Sequence, residues 1–170
     1  MNHTANQTKA PSGFMVNSAL KVALLSVSTF GLYELYWFWI NWNVVKEKEK
    51  TKIWPIGRAL FSVIFCFPLF KKILSEASET SNPKKFTALQ LAFIYIFLSF
   101  LGILPNPYWI LGIMTFYPLM EIQSIINKNA KTEQPKAQNT FFSDFSTLEL
   151  SIIVIGSILL AVGIASAIKG

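Results

Sequence analysis

The chain has 170 residues, of which 52% are hydrophobic and only 14% charged, with a mean hydropathy of +0.44. A soluble domain of this size needs more charge to cover its surface, and the apolar residues come in runs rather than at a regular period, so composition argues against a soluble domain and for membrane spans. The net charge of +6 is uneven: nine of the fifteen basic residues lie between Lys46 and Lys85, which suits an anionic membrane face rather than nucleic acid, since the lysines flank apolar runs and no nucleic-acid motif accompanies them.

Residues 1–13 are polar and read as a disordered tail. Asn2-His3-Thr4 and Asn6-Gln7-Thr8 fit the glycosylation pattern, a match that short polar tails produce by chance. No basic segment precedes the first apolar run and no small-residue cleavage site follows it, so that run is read as a retained helix and not a signal peptide. It covers residues 18–42, long enough to cross about 30 Å of hydrocarbon at 1.5 Å per residue. It ends in Tyr33, Tyr36, Trp37, Trp39 and Trp42, and then Lys46, Lys48, Lys50 and Lys52. Apolar residues, then amphipathic aromatics, then cations is the order met on leaving a bilayer toward the cytoplasm. Trp37, Trp39, Trp42, Trp54, Tyr108 and Trp109 are therefore read as interface anchors, with stacking on a sterol, quinone or polyprenyl lipid as the alternative for the first four.

Residues 53–74 hold only twelve uncharged residues in a row, Ala59 to Phe70, interrupted by Pro68 and closed by Lys71-Lys72. Such a run is more often interfacial or re-entrant than spanning, and spanning would put two lysine pairs on the wrong side. After a polar connection, the second span is residues 86–104, Pro105-Asn106-Pro107 makes a turn, and the third span returns through 108–126 with a kink at Pro118. Glu121 and Gln123 are read as its arrival in the inner headgroups. A membrane domain of residues 14–129 is thus followed by a polar linker at 130–147 and a C-terminal transmembrane helix at 148–170. Ser157, Ala161 and Ala165 recur at every fourth position of that helix, a face for close packing within the chain or for a homo- or hetero-oligomer. The expected fold is an all-α integral membrane protein with four transmembrane helices and one interfacial or re-entrant amphipathic helix, its N-terminus outside and residues 43–85 inside.

The chain is poor in catalytic groups. His3 is its one histidine, Asp144 its one aspartate and Cys66 its one cysteine, so there is no expected metal site, disulfide, cofactor or catalytic residue, and the protein is read as not an enzyme. Glu34, Arg58 and Glu121 are the charges that anchoring does not explain. A charge at mid-bilayer costs about 2.5–3.5 kcal/mol on the insertion scale. Phe30, Glu34, Trp37 and Asn41 share a helical face, and Arg58 sits at a compatible depth for an intramembrane ion pair with a carboxylate. The alternatives are charges satisfied by water and headgroups, or a transport site.

The run Thr29-Phe30-Gly31-Leu32-Tyr33-Glu34-Leu35-Tyr36-Trp37-Phe38-Trp39-Ile40-Asn41-Trp42 resembles small bacterial multi-pass membrane proteins that carry a domain of unknown function, whose signature is Gly-x-Tyr-x-x-Tyr-Trp-aromatic ending in Asn-Trp. Trp54-Pro55 with Arg58-Ala59, and Leu104-Pro105-Asn106-Pro107-Tyr108-Trp109 with Pro118-Leu119, extend the similarity over residues 29–127, with departures at Ile40 and Gly57. The resemblance implies a bacterial inner-membrane location and supplies no catalytic residues. The expected function is a non-enzymatic inner-membrane component for interaction or envelope maintenance, in contact with membrane lipids and anionic headgroups. The alternative is a small oligomeric transporter or channel-like protein using Glu34 and Arg58.

Overall fold

The computed structural model describes residues 13–78, 86–105, 108–133 and 145–169, and every described element is helical. The tail, Lys84-Lys85, the Asn106-Pro107 turn and most of the linker lie outside the described residues. In chain order the helices are α1 (Ala19–Ser28), α2 (Leu32–Glu49), α3 (Pro55–Leu60), α4 (Ser62–Ser78), α5 (Ala88–Leu101), α6 (Trp109–Gly112), a 3-10 turn (Ile113–Thr115), α7 (Phe116–Glu133) and α8 (Thr147–Lys169).

The first apolar run is two helices, not one span. The chain breaks at Thr29-Phe30-Gly31 and folds back, so that Met15 N–H donates to the Asn41 side-chain oxygen (3.3 Å) and the Asn17 amide donates to the Tyr33 hydroxyl (3.0 Å). The end of α1 closes as a Schellman motif: Gly31 N–H reaches the Ser26 carbonyl and Phe30 N–H the Val27 carbonyl. Phe30, at φ 51°, holds the left-handed position that glycine normally takes there. Gly31 follows at φ 86° and starts α2. The Thr29 hydroxyl joins the two helix ends, donating to the Leu25 carbonyl (2.6 Å) and accepting from Tyr33 N–H (2.9 Å).

A polar seam locks this hairpin onto α7. Gln123 accepts from the Trp37 indole N–H (2.7 Å) and donates to the Met15 carbonyl (2.8 Å), while Asn127 donates to the Asn17 carbonyl (2.7 Å). Every group in it is buried or half-buried and bonded, the condition under which a buried polar network specifies one packing. Gln123 is therefore a core residue rather than a headgroup marker.

One end of the bundle is basic. Lys48 pairs with Glu76 (2.6 Å), Lys72 pairs with Glu49, and Lys21 pairs with Glu149 (2.9 Å). The first two pairs join the end of α2 to the end of α4, and the third joins the start of α1 to the start of α8. The segment α3–α4 accordingly leaves the basic end and returns to it, and α4 runs through Pro68 without a break. Pro118 acts as expected from its missing N–H: it cannot bond the Met114 carbonyl, and the chain tightens there into the 3-10 turn. Helix α7 then continues to Glu133, past the expected start of the linker at 130.

Two segments are long and apolar enough to cross a membrane, Trp109–Ala130 and Thr147–Ala167, where four had been expected. Helix α5 has 14 residues, about 21 Å, and α1 only ten. Helix α8 lies at the edge of the bundle with Gly156 as its one buried residue among those described, against the Ser28 backbone. Ser157, Ala161 and Ala165 are exposed, so the small-residue stripe does not make the packing contact within the chain; Gly156 and Gly163 do, the latter on Trp109.

Candidate functional site

Helix α2 presents Glu34, Trp37, Phe38, Asn41 and Trp42 to the interior, the spacing of one helical face. Phe30 is off that face, half-exposed in the turn. Trp37 and Trp42 are fully buried, so they are core residues and not interface anchors; an indole with an internal partner, as Trp37 has in Gln123, loses nothing by leaving water. Trp39, Trp54 and Tyr108 do face outward, and Trp109 packs on Gly163.

Glu34 is 4% exposed, in the first turn of α2, where the N-terminal helix dipole favours a carboxylate. The Thr115 hydroxyl donates to Glu34 Oε1 (2.7 Å). The Tyr95 hydroxyl lies beside the same carboxyl group and is 3.1 Å from the Ser62 hydroxyl. Four elements thus meet at one acid: α2, α4, α5 and the 3-10 turn that Pro118 imposes. None of them brings a cation. Among the described residues no ion pair joins Glu34, Arg58 and Glu121. Arg58 stacks on Trp42 instead, its guanidinium carbon 4.3 Å from the ring centroid, and Trp42 is two turns from Glu34 along α2. Glu121 is half-buried on α7. The expected ion pair is corrected to a carboxylate held by hydroxyls.

A cavity of about 250 Å³ opens beside this acid. The hairpin contributes Ser26, Phe30 and Gly31 to its wall, and the opposite side is Trp109, Gly112 and Thr115. Thr115 belongs to both the cavity wall and the Glu34 site. The Ser26 hydroxyl is buried in the same wall with no hydrogen-bond partner. A buried hydroxyl left unpaired costs about 1–3 kcal/mol, which a ligand in the cavity would recover. Sequence reading singled out Glu34 but not this grouping. Ser26 and Thr115 are 89 positions apart and carry no motif.

Cys66 donates weakly to the Val63 carbonyl and is buried, and burial pushes its thiol up to about 11. Such a thiol is inert at neutral pH. The folded protein is expected to resist maleimide at pH 7, with full labelling only after denaturation; rapid labelling of the native chain would show that α4 does not cover it. Among the described residues no cluster of three metal-ligating side chains occurs. No family model, characterised protein or solved structure matches the chain.

Proposed function

We propose that the chain is a multi-pass protein of the bacterial inner membrane that binds a small cation or a proton at Glu34, without catalysing a reaction. The two spanning-length segments and the wide apolar surface, with Leu89, Phe93, Phe97, Phe100, Val154 and Ile158 all more than half exposed, support a lipid-facing protein. In this reading α5, α6–α7 and α8 cross, while α1–α2 and α3–α4 are re-entrant from the basic, cytoplasmic side. From Glu149 to Gly156 is seven residues, so the hairpin tip lies about 10 Å along α8 from the Lys21–Glu149 pair, and it lines its cavity together with Gly102 and Trp109. Helix ends at membrane depth are tolerated where they line a protein cavity, and broken helices in membranes commonly mark binding sites.

The observation that carries the functional reading is a buried carboxylate with hydroxyl partners, no cation and an adjoining cavity. A lone carboxylate in a low dielectric is held neutral by a proton or balanced by a cation. Sodium, potassium and methylammonium should therefore raise the melting temperature of the purified protein in a neutral detergent, and Glu34→Gln should abolish the response. An equal response in both proteins would refute the site. A second reading, as an interaction component, is favoured by the outward-facing Ser157, Ala161 and Ala165. Topology offers a separate check. A reporter at the N-terminus is expected to signal cytoplasmic, whereas a single span over residues 18–42 requires the opposite side.

A further inference from the structure

Arg58 is the chain's only arginine, and it forms no ion pair among the described residues. Its guanidinium carbon lies over the ring of Trp42 (4.3 Å) and that of Phe65 (5.2 Å), two rings that meet edge to face. Cation–π contact with two rings holds the charge in place without using its N–H groups, which can then serve an oxyanion. Beside it runs a groove of about 250 Å³ whose other walls are Trp54, Gly57, Phe61 and Phe65. Gly57 makes room for the Trp54 indole: a Cβ there would stand 2.9 Å from Trp54 Cζ3. Trp54, Phe61 and the neighbouring Leu60 and Ile64 are all more than half exposed.

We propose that this groove binds an anionic phospholipid, with the phosphate on Arg58 and an acyl chain along Trp54, Phe61 and Phe65. Charge complementarity selects the occupant. One fixed cation at the mouth of an apolar slot matches an amphiphile with a single anionic head. The level is right as well: Trp42 lies one helical turn before Lys46, at the edge of the basic end, where lipid phosphates sit. A phosphate on a guanidinium held by two rings can gain a bidentate pair that diffuse surface lysines do not supply. The site rests on the membrane reading but not on the Glu34 site.

The test is native mass spectrometry of the full chain after delipidation, offered phosphatidylglycerol and phosphatidylcholine with identical acyl chains. The wild type is expected to retain the anionic lipid at least ten-fold over the zwitterionic one. Arg58→Gln should remove that preference, and Arg58→Lys should restore only part of it. Trp54→Ala should weaken retention of the anionic lipid with the charge unchanged, while Lys46→Gln should leave the preference intact. Equal retention of both lipids by the wild type, or an undiminished preference in Arg58→Gln, overturns the proposal. An equal fall in Lys46→Gln and Arg58→Gln overturns it too, since that is the signature of net charge alone. A dimer peak that replaces lipid binding would assign the groove to a second copy of the chain. A chain that enters phosphatidylcholine bilayers yet shows no lipid preference loses this site and keeps the membrane reading; one that stays soluble without detergent loses both.

Discussion

Gly156→Ala is expected to undock α8 from the bundle, although alanine is the better helix former. A Cβ at Gly156 would fall 2.7 Å from the Ser28 carbonyl carbon and 2.9 Å from its Cα, and closer still to the carbonyl oxygen. These are backbone atoms at the end of α1, held by the Schellman turn, so they cannot yield as a flexible side chain would. Overpacking of this kind costs about 1–3 kcal/mol, or more where the backbone cannot move. Because α8 buries little else, a loss of about 2–3 kcal/mol corresponds to a docking equilibrium roughly 30- to 150-fold weaker. Gly163→Ala is the control. Its Cβ would meet Trp109 Cη2 at 3.6 Å, an ordinary contact, and the usual helix gain of about 0.5–1 kcal/mol should survive. Spin labels at the exposed positions Leu89 and Val162 give the readout. The wild type and Gly163→Ala should show one narrow distance, and Gly156→Ala a broad distribution. Identical distributions in all three proteins would mean that α8 does not rest on the hairpin tip.

The difference between the expected first span and the observed hairpin has a physical origin. Residues 18–42 are apolar over a spanning length, and length is blind to direction. The local sign of a break is Gly31, whose φ of 86° few residues accept, but its neighbour Phe30 is a poor occupant of the left-handed region and disguises the turn. What stabilises the fold-back is non-local: Met15 and Asn17 reach Gln123 and Asn127, more than a hundred positions away. Helical faces were more legible. Of the expected face, Glu34, Trp37 and Asn41 are buried on α2, because periodicity depends only on the helix itself, while Phe30 falls outside the helix and is exposed. Trp37 and Trp42 read as anchors in the sequence because a Trp beside lysines looks alike there whether it faces outward or packs in the core, as these two do. Arg58 was paired with the wrong partner for a related reason: charge invites a carboxylate, whereas the near neighbour in space is the Trp42 ring. The pairs Lys48–Glu76 and Lys72–Glu49 bring both ends of the segment 53–74 to one level.

Glu34→Leu and Glu34→Gln should separate the structural from the functional part of the buried acid. Leucine removes the acceptor of the Thr115 hydroxyl and the neighbour of the Tyr95 hydroxyl. Each hydroxyl left unpaired in the interior costs about 1–3 kcal/mol, set against a gain for removing a buried carboxylate. Net destabilisation of about 1–3 kcal/mol is expected, and at the usual 2–4 °C per kcal/mol for a chain of this length the melting temperature should fall by about 2–12 °C. Glutamine keeps an acceptor for Thr115 and the same volume, so its melting temperature in the absence of added cation should lie within about 4 °C of wild type, equivalent to roughly 1 kcal/mol. It cannot carry a negative charge, so the stabilisation by sodium, potassium or methylammonium should be lost. Thr115→Val gives the third point. It deletes the donor, leaves the charge, and should retain a cation response shifted to higher concentration. If Gln destabilises as much as Leu, the carboxyl group is structural and the cation reading falls. If all three variants respond to cations as the wild type does, the bound ion lies elsewhere and the cavity beside Ser26 is not its site.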